Sequence, residues 1–263
     1  MAAERAIAQT DQTIICRGCQ AEIPLETFIQ ALKVCSACDA HAVLGARERL
    51  DLLADRETFV ENDTGLYSIN PLNFPEYESK LERDIKKTGL PYELLTGEGE
   101  IGGHRVSLAI GDVGFIGGTM GAVAGEKLTR TIERATQNGL PLITVSVSGG
   151  MRMQEGALAL MQMQKTAAAC VRHSEAGLFY ISIVTDPTYG GATASFVSLG
   201  HVIIAEPYAR IGFAGPRAVA SIHEQLPDNF QKSEFLLEHG MIDCIVHRHQ
   251  MRSFLVSLLD WVN

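Results

Sequence analysis

Leu140-Pro-Leu-Ile-Thr-Val-Ser-Val-Ser-Gly-Gly-Met-Arg-Met-Gln-Glu-Gly156 decides the fold. The apolar, β-branched run from Leu142 to Val147 reads as a buried strand. It ends in Ser148-Gly149-Gly150, where missing Cβ atoms permit a sharp turn and a close backbone approach. From Met151 to about His173 the pattern becomes helical, with Met, Leu and Ala three and four positions apart. A glycine turn feeding a helix N-terminus leaves amides aimed outward, ready for a phosphate or the oxygen of a polarised carbonyl. A plain strand-to-helix turn inside a core fits the same residues.

Outward from this stretch, strand and helix patterns repeat. Leu94–Ile101 and Arg105–Asp112 read as strands around the turn residues Gly102-Gly103-His104. A glycine-rich segment, Phe115–Gly125, leads into a helix at Glu126–Asn138 with Gly139 as its cap. Gly177–Val184 is another strand, followed by Thr185-Asp-Pro-Thr-Tyr-Gly-Gly191 and a helix over Ala192–Leu199. The Gly-Gly pairs at 149–150 and 190–191 lie 41 residues apart in equivalent places. A third turn of the winding runs through His201–Ala205, Ala209–Phe213 and a helix opened by Ala214-Gly-Pro-Arg217. A helix at 230–239, a strand at Met241–His247 and a helix at Gln250–Val262 close it. Such repetition predicts stacked, partly superhelical α/β layers. The glycines spell neither a dinucleotide fingerprint nor a Walker A loop.

The N-terminal part has a different chemistry. Cys16-Arg-Gly-Cys19 and Cys35-Ser-Ala-Cys38 are separated by fifteen residues. Each pair can point two thiolates at one ion, so Cys16, Cys19, Cys35 and Cys38 are expected to hold a structural zinc with no open coordination position. Residues 1–41 are therefore expected to form a zinc ribbon and residues 42–263 the α/β domain. Cys170 and Cys244 stand apart and read as core thiols. With 46% hydrophobic and 20% charged residues, the 263-residue chain can bury a sizeable core. Its net charge of −9 argues against a general nucleic-acid-binding surface. No apolar run reaches membrane-span length and no signal-peptide core is seen, so a cytoplasmic protein without membrane association is expected.

In its ordered motifs the chain resembles the carboxyltransferase beta subunit of bacterial acetyl-CoA carboxylase. These are the ribbon spacing, Pro71-Leu-Asn-Phe with Tyr77 and Lys80, Gly117-Gly-Thr-Met-Gly121, Gly125-Glu-Lys127 and Ser148-Gly-Gly150 with Arg152-Met-Gln-Glu-Gly156. They continue through Leu160-Met-Gln-Met163, Thr185-Asp-Pro-Thr with Gly190-Gly191, Ala205-Glu-Pro207, Ile211–Arg217 and Gly240-Met-Ile-Asp243. The resemblance implies a crotonase-type superhelix of β-β-α units carrying an N-terminal zinc ribbon. It implies carboxyl transfer from carboxybiotin to acetyl-CoA, giving malonyl-CoA for fatty acid biosynthesis. The implied partners are a carboxyltransferase alpha subunit in a heterotetramer, a biotin carboxyl carrier protein, biotin carboxylase within an ATP-dependent complex, and RNA or DNA touching the ribbon.

Enolising a thioester and releasing carboxybiotin both place negative charge on oxygen, which backbone N–H groups can stabilise. On that basis Gly117, Gly118, Gly149, Gly150 and Met151 are expected on the thioester side. Gly190 and Gly191 are expected near the carboxyl group or biotin, with Thr119, Met120, Gly121 and Arg152 also contacting substrate. Met151 stands where the family usually has alanine, and Tyr189 also departs from it. Two rivals remain: an acyl-CoA decarboxylase or hydrolase using Glu155 or His173 as proton donor, and a zinc-ribbon protein binding nucleic acid or regulating a complex.

Overall fold

The computed structural model describes residues 13–215, 219, 221 and 226–262. The expected helix start at Pro216-Arg217 lies outside these residues. The chain divides into two compact units, Met1–Leu44 and Gly45–Asn263.

In the first unit, strands β1 (Thr13–Ile15) and β2 (Glu22–Pro24) pair antiparallel, and a short helix α1 (Leu25–Gln30) follows. Its small core is Cys16, Ile23, Phe28 and Cys35. So little apolar surface makes a metal cross-link the natural source of stability.

The second unit begins with α2 (Ala46–Leu53), β3 (Val60–Glu61) and α3 (Tyr77–Thr88). Strands β4 (Leu94–Ile101) and β5 (His104–Gly111) form a hairpin, and α4 (Ala122–Asn138) leads to β6 (Leu142–Ser148). Next come α5 (Ala157–Glu175), β7 (Tyr180–Tyr189), β8 (Val202–Ala205), β9 (Ile211–Gly212), α6 (Ser233–Glu238), β10 (Cys244–Ile245) and α7 (Arg248–Val262). The sheet order is β10-β8-β7-β6-β5-β4-β3, with β9 also on β7. The β3-β4-β5 meander is antiparallel and the remaining pairings are parallel.

Every residue of β6 is buried, as a strand covered on both faces requires. Side-chain alternation sends Leu142 into a core with Leu128 and Ile132 of α4 and Ala169 of α5. Ile143 and Val145 face the opposite core, with Leu53 of α2 and Met251, Leu255 and Leu259 of α7. Strand β7 changes partner along its length. Ile181–Val184 pair with β8, whereas Thr188 and Tyr189 pair with β9. The β6–β7 register shifts between Ser146 and Ser148, so the two glycine-bearing strand ends diverge from the regular sheet together.

One expected helix and one expected strand are revised. Ala192–Leu199 forms turns and one 3₁₀ turn at Phe196–Leu199. There Ser195 Oγ donates to the Gly191 carbonyl at 2.6 Å and Thr193 Oγ1 to the Thr188 carbonyl at 3.2 Å, competing with helical bonding. The strand expected over Met241–His247 is only two residues long. Among the described residues no helix is long and apolar enough to cross a membrane.

Candidate active site and cysteine cluster

The glycine turn after β6 does not feed a helix directly. Met151 makes a parallel bridge to Met120, with Met120 N–H donating to the Gly150 carbonyl at 2.8 Å and Arg152 N–H to the Met120 carbonyl at 2.9 Å. A 3₁₀ turn at Met153–Glu155 follows, and α5 begins only at Ala157. The amides around Gly150 therefore belong to a strand-like loop rather than to a helix N-terminus.

Hydrogen bonding sorts the expected donors. Gly149 N–H is given to the Gly117 carbonyl at 2.9 Å and Gly150 N–H to Ser148 Oγ at 3.1 Å. Gly118 N–H reaches the Phe115 carbonyl, Thr119 N–H that of Ile116, and Gly190 N–H the carbonyls of Gly212 and Phe213. The amides of Gly117, Met151 and Gly191 donate to no protein acceptor among the described residues. These three flank the place where the two turns meet. A Cβ on Gly190 would lie 3.9 Å from Met151 N. One on Gly191 would lie 2.5 Å from Met151 Cγ and 2.7 Å from Met163 Sδ, so the methionine side chains pack directly on that glycine.

Gly121 and Arg152, expected at the substrate, are both held by the buried Glu93. Gly121 N–H donates to Glu93 Oε1 at 2.8 Å and Ala122 N–H to Glu155 Oε2 at 2.6 Å. Two buried carboxylates thus fill the N-terminus of α4, where the helix dipole favours negative charge. Arg152 is fully buried between them. Burial alone would lower its pKa, but Glu93, Tyr77 and Glu155 reverse that and hold it raised. Burial likewise pushes the Tyr77 phenol up, and its O–H donates to Glu155 Oε1 at 2.6 Å. Met120 is also buried, while Thr119 Oγ1 donates to the Ile116 carbonyl at 2.7 Å. Glu93 and Ser68 have no distinguishing spacing in the sequence; only the folded contacts reveal them.

An apolar cavity lies beside the end of β6, lined among others by Met120, Val147, Ser148, Ala192 and Phe196. Glu93 and Ser146 also line it, and Glu93 Oε2 and Ser146 Oγ have no protein partner among the described residues. The acid candidates of the rival chemistry are committed elsewhere. Glu155 has both oxygens engaged, and His173 contacts Thr136 Oγ1 at 3.0 Å and the Phe179 carbonyl at 3.3 Å. Burial lowers the His173 pKa, as for a neutral core histidine.

In the N-terminal unit the four cysteine sulfurs lie within 4.8 Å of one another. Cys16 and Cys38 sulfurs are 3.7 Å apart, and Cys19 and Cys35 sulfurs 3.8 Å. Tetrahedral zinc with Zn–S bonds of about 2.3 Å needs edges of about 3.8 Å, so the donors fit that ion. Gly18 N–H also points at Cys16 Sγ, 3.3 Å away, as suits a thiolate ligand.

The carboxyl transferase domain family matches residues 44–234. The chain is 49% identical to the acetyl-coenzyme A carboxylase carboxyl transferase subunit beta of Desulforamulus reducens over 93% of this chain and 85% of that protein. It is also 49% identical to the subunit of the same name from Syntrophomonas wolfei, over 94% of this chain and 88% of the relative. Among solved structures it is similar to transcarboxylase 12S with methylmalonyl-coenzyme A and methylmalonic acid bound, at TM-score 0.71 and 28% identity. That match covers 82% of this chain but 41% of the 12S chain, so this chain spans about two-fifths of that protein's length. The α/β fold is of crotonase type, and the chain belongs to the carboxyl transferase family, alongside the beta subunits of acetyl-coenzyme A carboxylase.

Proposed function

We propose that this chain is the beta half of a two-subunit carboxyltransferase that moves a carboxyl group from carboxybiotin to acetyl-CoA, producing malonyl-CoA. The observation that carries the residue assignment is the meeting of two glycine turns that leave the Gly117, Met151 and Gly191 amides uncommitted. Carboxybiotin, carried by a separate protein, supplies both the carboxyl group and, once that group has left, a basic ureido nitrogen for the acetyl methyl proton. The chain then needs no general base of its own. Its Met151 and Gly117 amides stabilise charge on the thioester oxygen, while Gly191 faces the carboxyl group or biotin. Gly149, Gly150, Gly118 and Gly190 shape those turns instead of donating to ligand.

Cys16, Cys19, Cys35 and Cys38 hold a structural zinc, within a ribbon of residues 1–41 that precedes the carboxyltransferase domain of residues 42–263. The partners are an alpha subunit, a biotin carboxyl carrier protein and biotin carboxylase, in the cytoplasm, with nucleic acid as a further contact of the ribbon. The exposed Met153, Leu158, Leu160 and Met161 are suited to cover by the alpha subunit. Following malonyl-CoA-dependent carboxylation of biotin, the reverse reaction, tests the reading. The chain with an alpha subunit turns over and the chain alone does not. Full turnover by the isolated chain would refute the requirement for a partner.

A further inference from the structure

We infer that Arg152 is a positioning residue for carboxyl transfer: its guanidinium clamps the Gly117–Gly121 loop to the loop after β6 in register and so fixes where the Met151 amide points. The inference rests on the assignment of that amide as an oxyanion donor.

The contacts reach several of the segments around the turn. Arg152 Nη2 donates to the Thr119 carbonyl at 2.6 Å and lies 2.9 Å from Glu93 Oε1. Nε donates to Thr119 Oγ1 at 3.2 Å, and Nη1 donates at 3.2 Å to both Ser68 Oγ and the Tyr77 hydroxyl. Nη1 also lies 3.5 Å from Glu155 Oε1, and the guanidinium sits over the Phe115 ring at 5.4 Å. The backbone of the same residue closes the bridge to Met120. One side chain therefore grips the loop before α4, the loop before α3, and its own loop. A planar fork with five N–H donors is the group that can satisfy so many acceptors from one point.

Charge explains why this grip is rigid. Glu93 and Glu155 are two buried carboxylates, and Arg152 is the guanidinium between them. The remaining negative charge is met by the Gly121 and Ala122 amides at the start of α4. Moving the guanidinium would strand both acids in a low dielectric, so the arrangement has little freedom to drift. Since Met151 directly precedes Arg152, a rotation of the clamp is passed to the neighbouring peptide plane.

The test uses the full chain assembled with its alpha subunit, carrying Arg152→Lys or Arg152→Met. The lysine keeps a positive charge opposite Glu93 and Glu155 but loses the fork, so it is the variant expected to retain the fold if methionine does not. Two readouts are taken: steady-state kinetics with acetyl-CoA, and hydrogen–deuterium exchange of peptides spanning 116–121 and 148–153. A misplaced donor loses turnover, so kcat of Arg152→Lys is expected to fall by about 10- to 100-fold with KM held, while both peptides exchange faster. The methionine variant, if folded, should be worse in both respects. A raised KM or lost kcat with unchanged exchange overturns the clamp and leaves the donor assignment standing. Faster exchange with kcat retained overturns the positioning role from the other side, because the turn then moves without consequence and the Met151 donor assignment fails.

Discussion

Gly150 and Gly190 meet backbone to backbone at the junction of the two turns: a Cβ on Gly190 would lie 3.1 Å from the Gly150 Cα, and one on Gly150 3.6 Å from the Gly190 Cα. Both residues have positive φ, 107° at Gly150 and 67° at Gly190. Backbone conformation disfavours a side chain at both positions, and at Gly190 the 3.1 Å approach adds a steric cost, whereas a Cβ on Gly150 would meet only ordinary contact distances. Gly190→Val should push the turns apart and displace the Met151 and Gly191 amides. Losing one such donor typically costs about 2.7–4 kcal/mol, so turnover of the assembled enzyme should fall by about two to three decades. Thermal stability and alpha-subunit binding of the variant are measured alongside, to separate chemistry from folding. Near-normal turnover in a folded, assembled variant would remove these turns from the mechanism.

Gly150→Pro acts differently from a simple deletion of a ligand donor. The Gly150 amide is already given to Ser148 Oγ, and proline cannot adopt a φ near 107°. Its expected effect is a comparable loss of turnover through distortion of the turn. If Ser148→Ala, which removes the hydroxyl that accepts from Gly150 N–H and donates to the Gly150 carbonyl, matched it in full, hydrogen bonding by that hydroxyl rather than the backbone shape would be what matters.

The parts legible in the sequence are those fixed by local chemistry. The strand at Leu142–Ser148 follows from a short apolar run, that at Leu94–Ile101 is bounded by the turn residues Gly102-Gly103-His104, and α4 ends at Gly139, whose φ is 64°. The cysteine pairs announce their cluster because each knuckle is a local turn. What sequence periodicity hid was decided at long range. Residues 151–156 carry a helical pattern, yet Met151 is held in a bridge to Met120 and Met153–Glu155 form only a 3₁₀ turn before α5 can start. Gly149 looks like a free donor until the Gly117 carbonyl, from another loop, accepts its N–H. Arg152 has a substrate-like position in its motif, but Glu93 and Tyr77 draw it inside.

The zinc reading predicts close to one equivalent of metal in the purified chain, lost in Cys35→Ser. Cys35 is buried in the small N-terminal core, so its loss should also unfold that unit. The other thiols should be silent. Burial pushes Cys170 up to about 12, and burial raises Cys244 as well, so neither should react with alkylating reagents at neutral pH in the native protein. Unchanged metal content in Cys35→Ser would exclude the four-sulfur site.

Lys127 gives a pH-dependent test of stability. Its ammonium is fully buried, donates to the Asn62 and Asp63 carbonyls at 3.0 and 3.2 Å, and sits 3.6 Å from the Tyr92 ring centre. Burial lowers its pKa from 10.5 to about 8. Between those values the unfolded chain binds the extra proton, so folding stability from this residue rises with pH from about 8 to about 10.5. Below that window the cost of a buried charge is fully present. In Lys127→Met this rising contribution should disappear, so urea denaturation at pH 8 and pH 10 should differ between variant and parent. Parallel pH profiles would show that Lys127 does not titrate in that window.

Glu155 separates the two chemistries most directly. It is the acid that a biotin-independent decarboxylase or hydrolase would employ, yet its Oε1 accepts from the Tyr77 hydroxyl and its Oε2 from Ala122 N–H. An amide in its place can accept through only one end; the other end would present N–H groups to a donor. Glu155→Gln should therefore leave a buried group poorly paired, at about 1–3 kcal/mol of stability. The variant should melt earlier, and loosening of the Arg152 clamp should cost turnover only several-fold. No limb of the pH–rate profile should be lost if, as proposed, the proton from the acetyl group goes to biotin nitrogen. Should Glu155→Gln instead be dead at unchanged melting temperature, with one limb of the pH profile gone, the carboxylate is itself transferring the proton. Side-chain acid–base catalysis would then replace the amide-based mechanism.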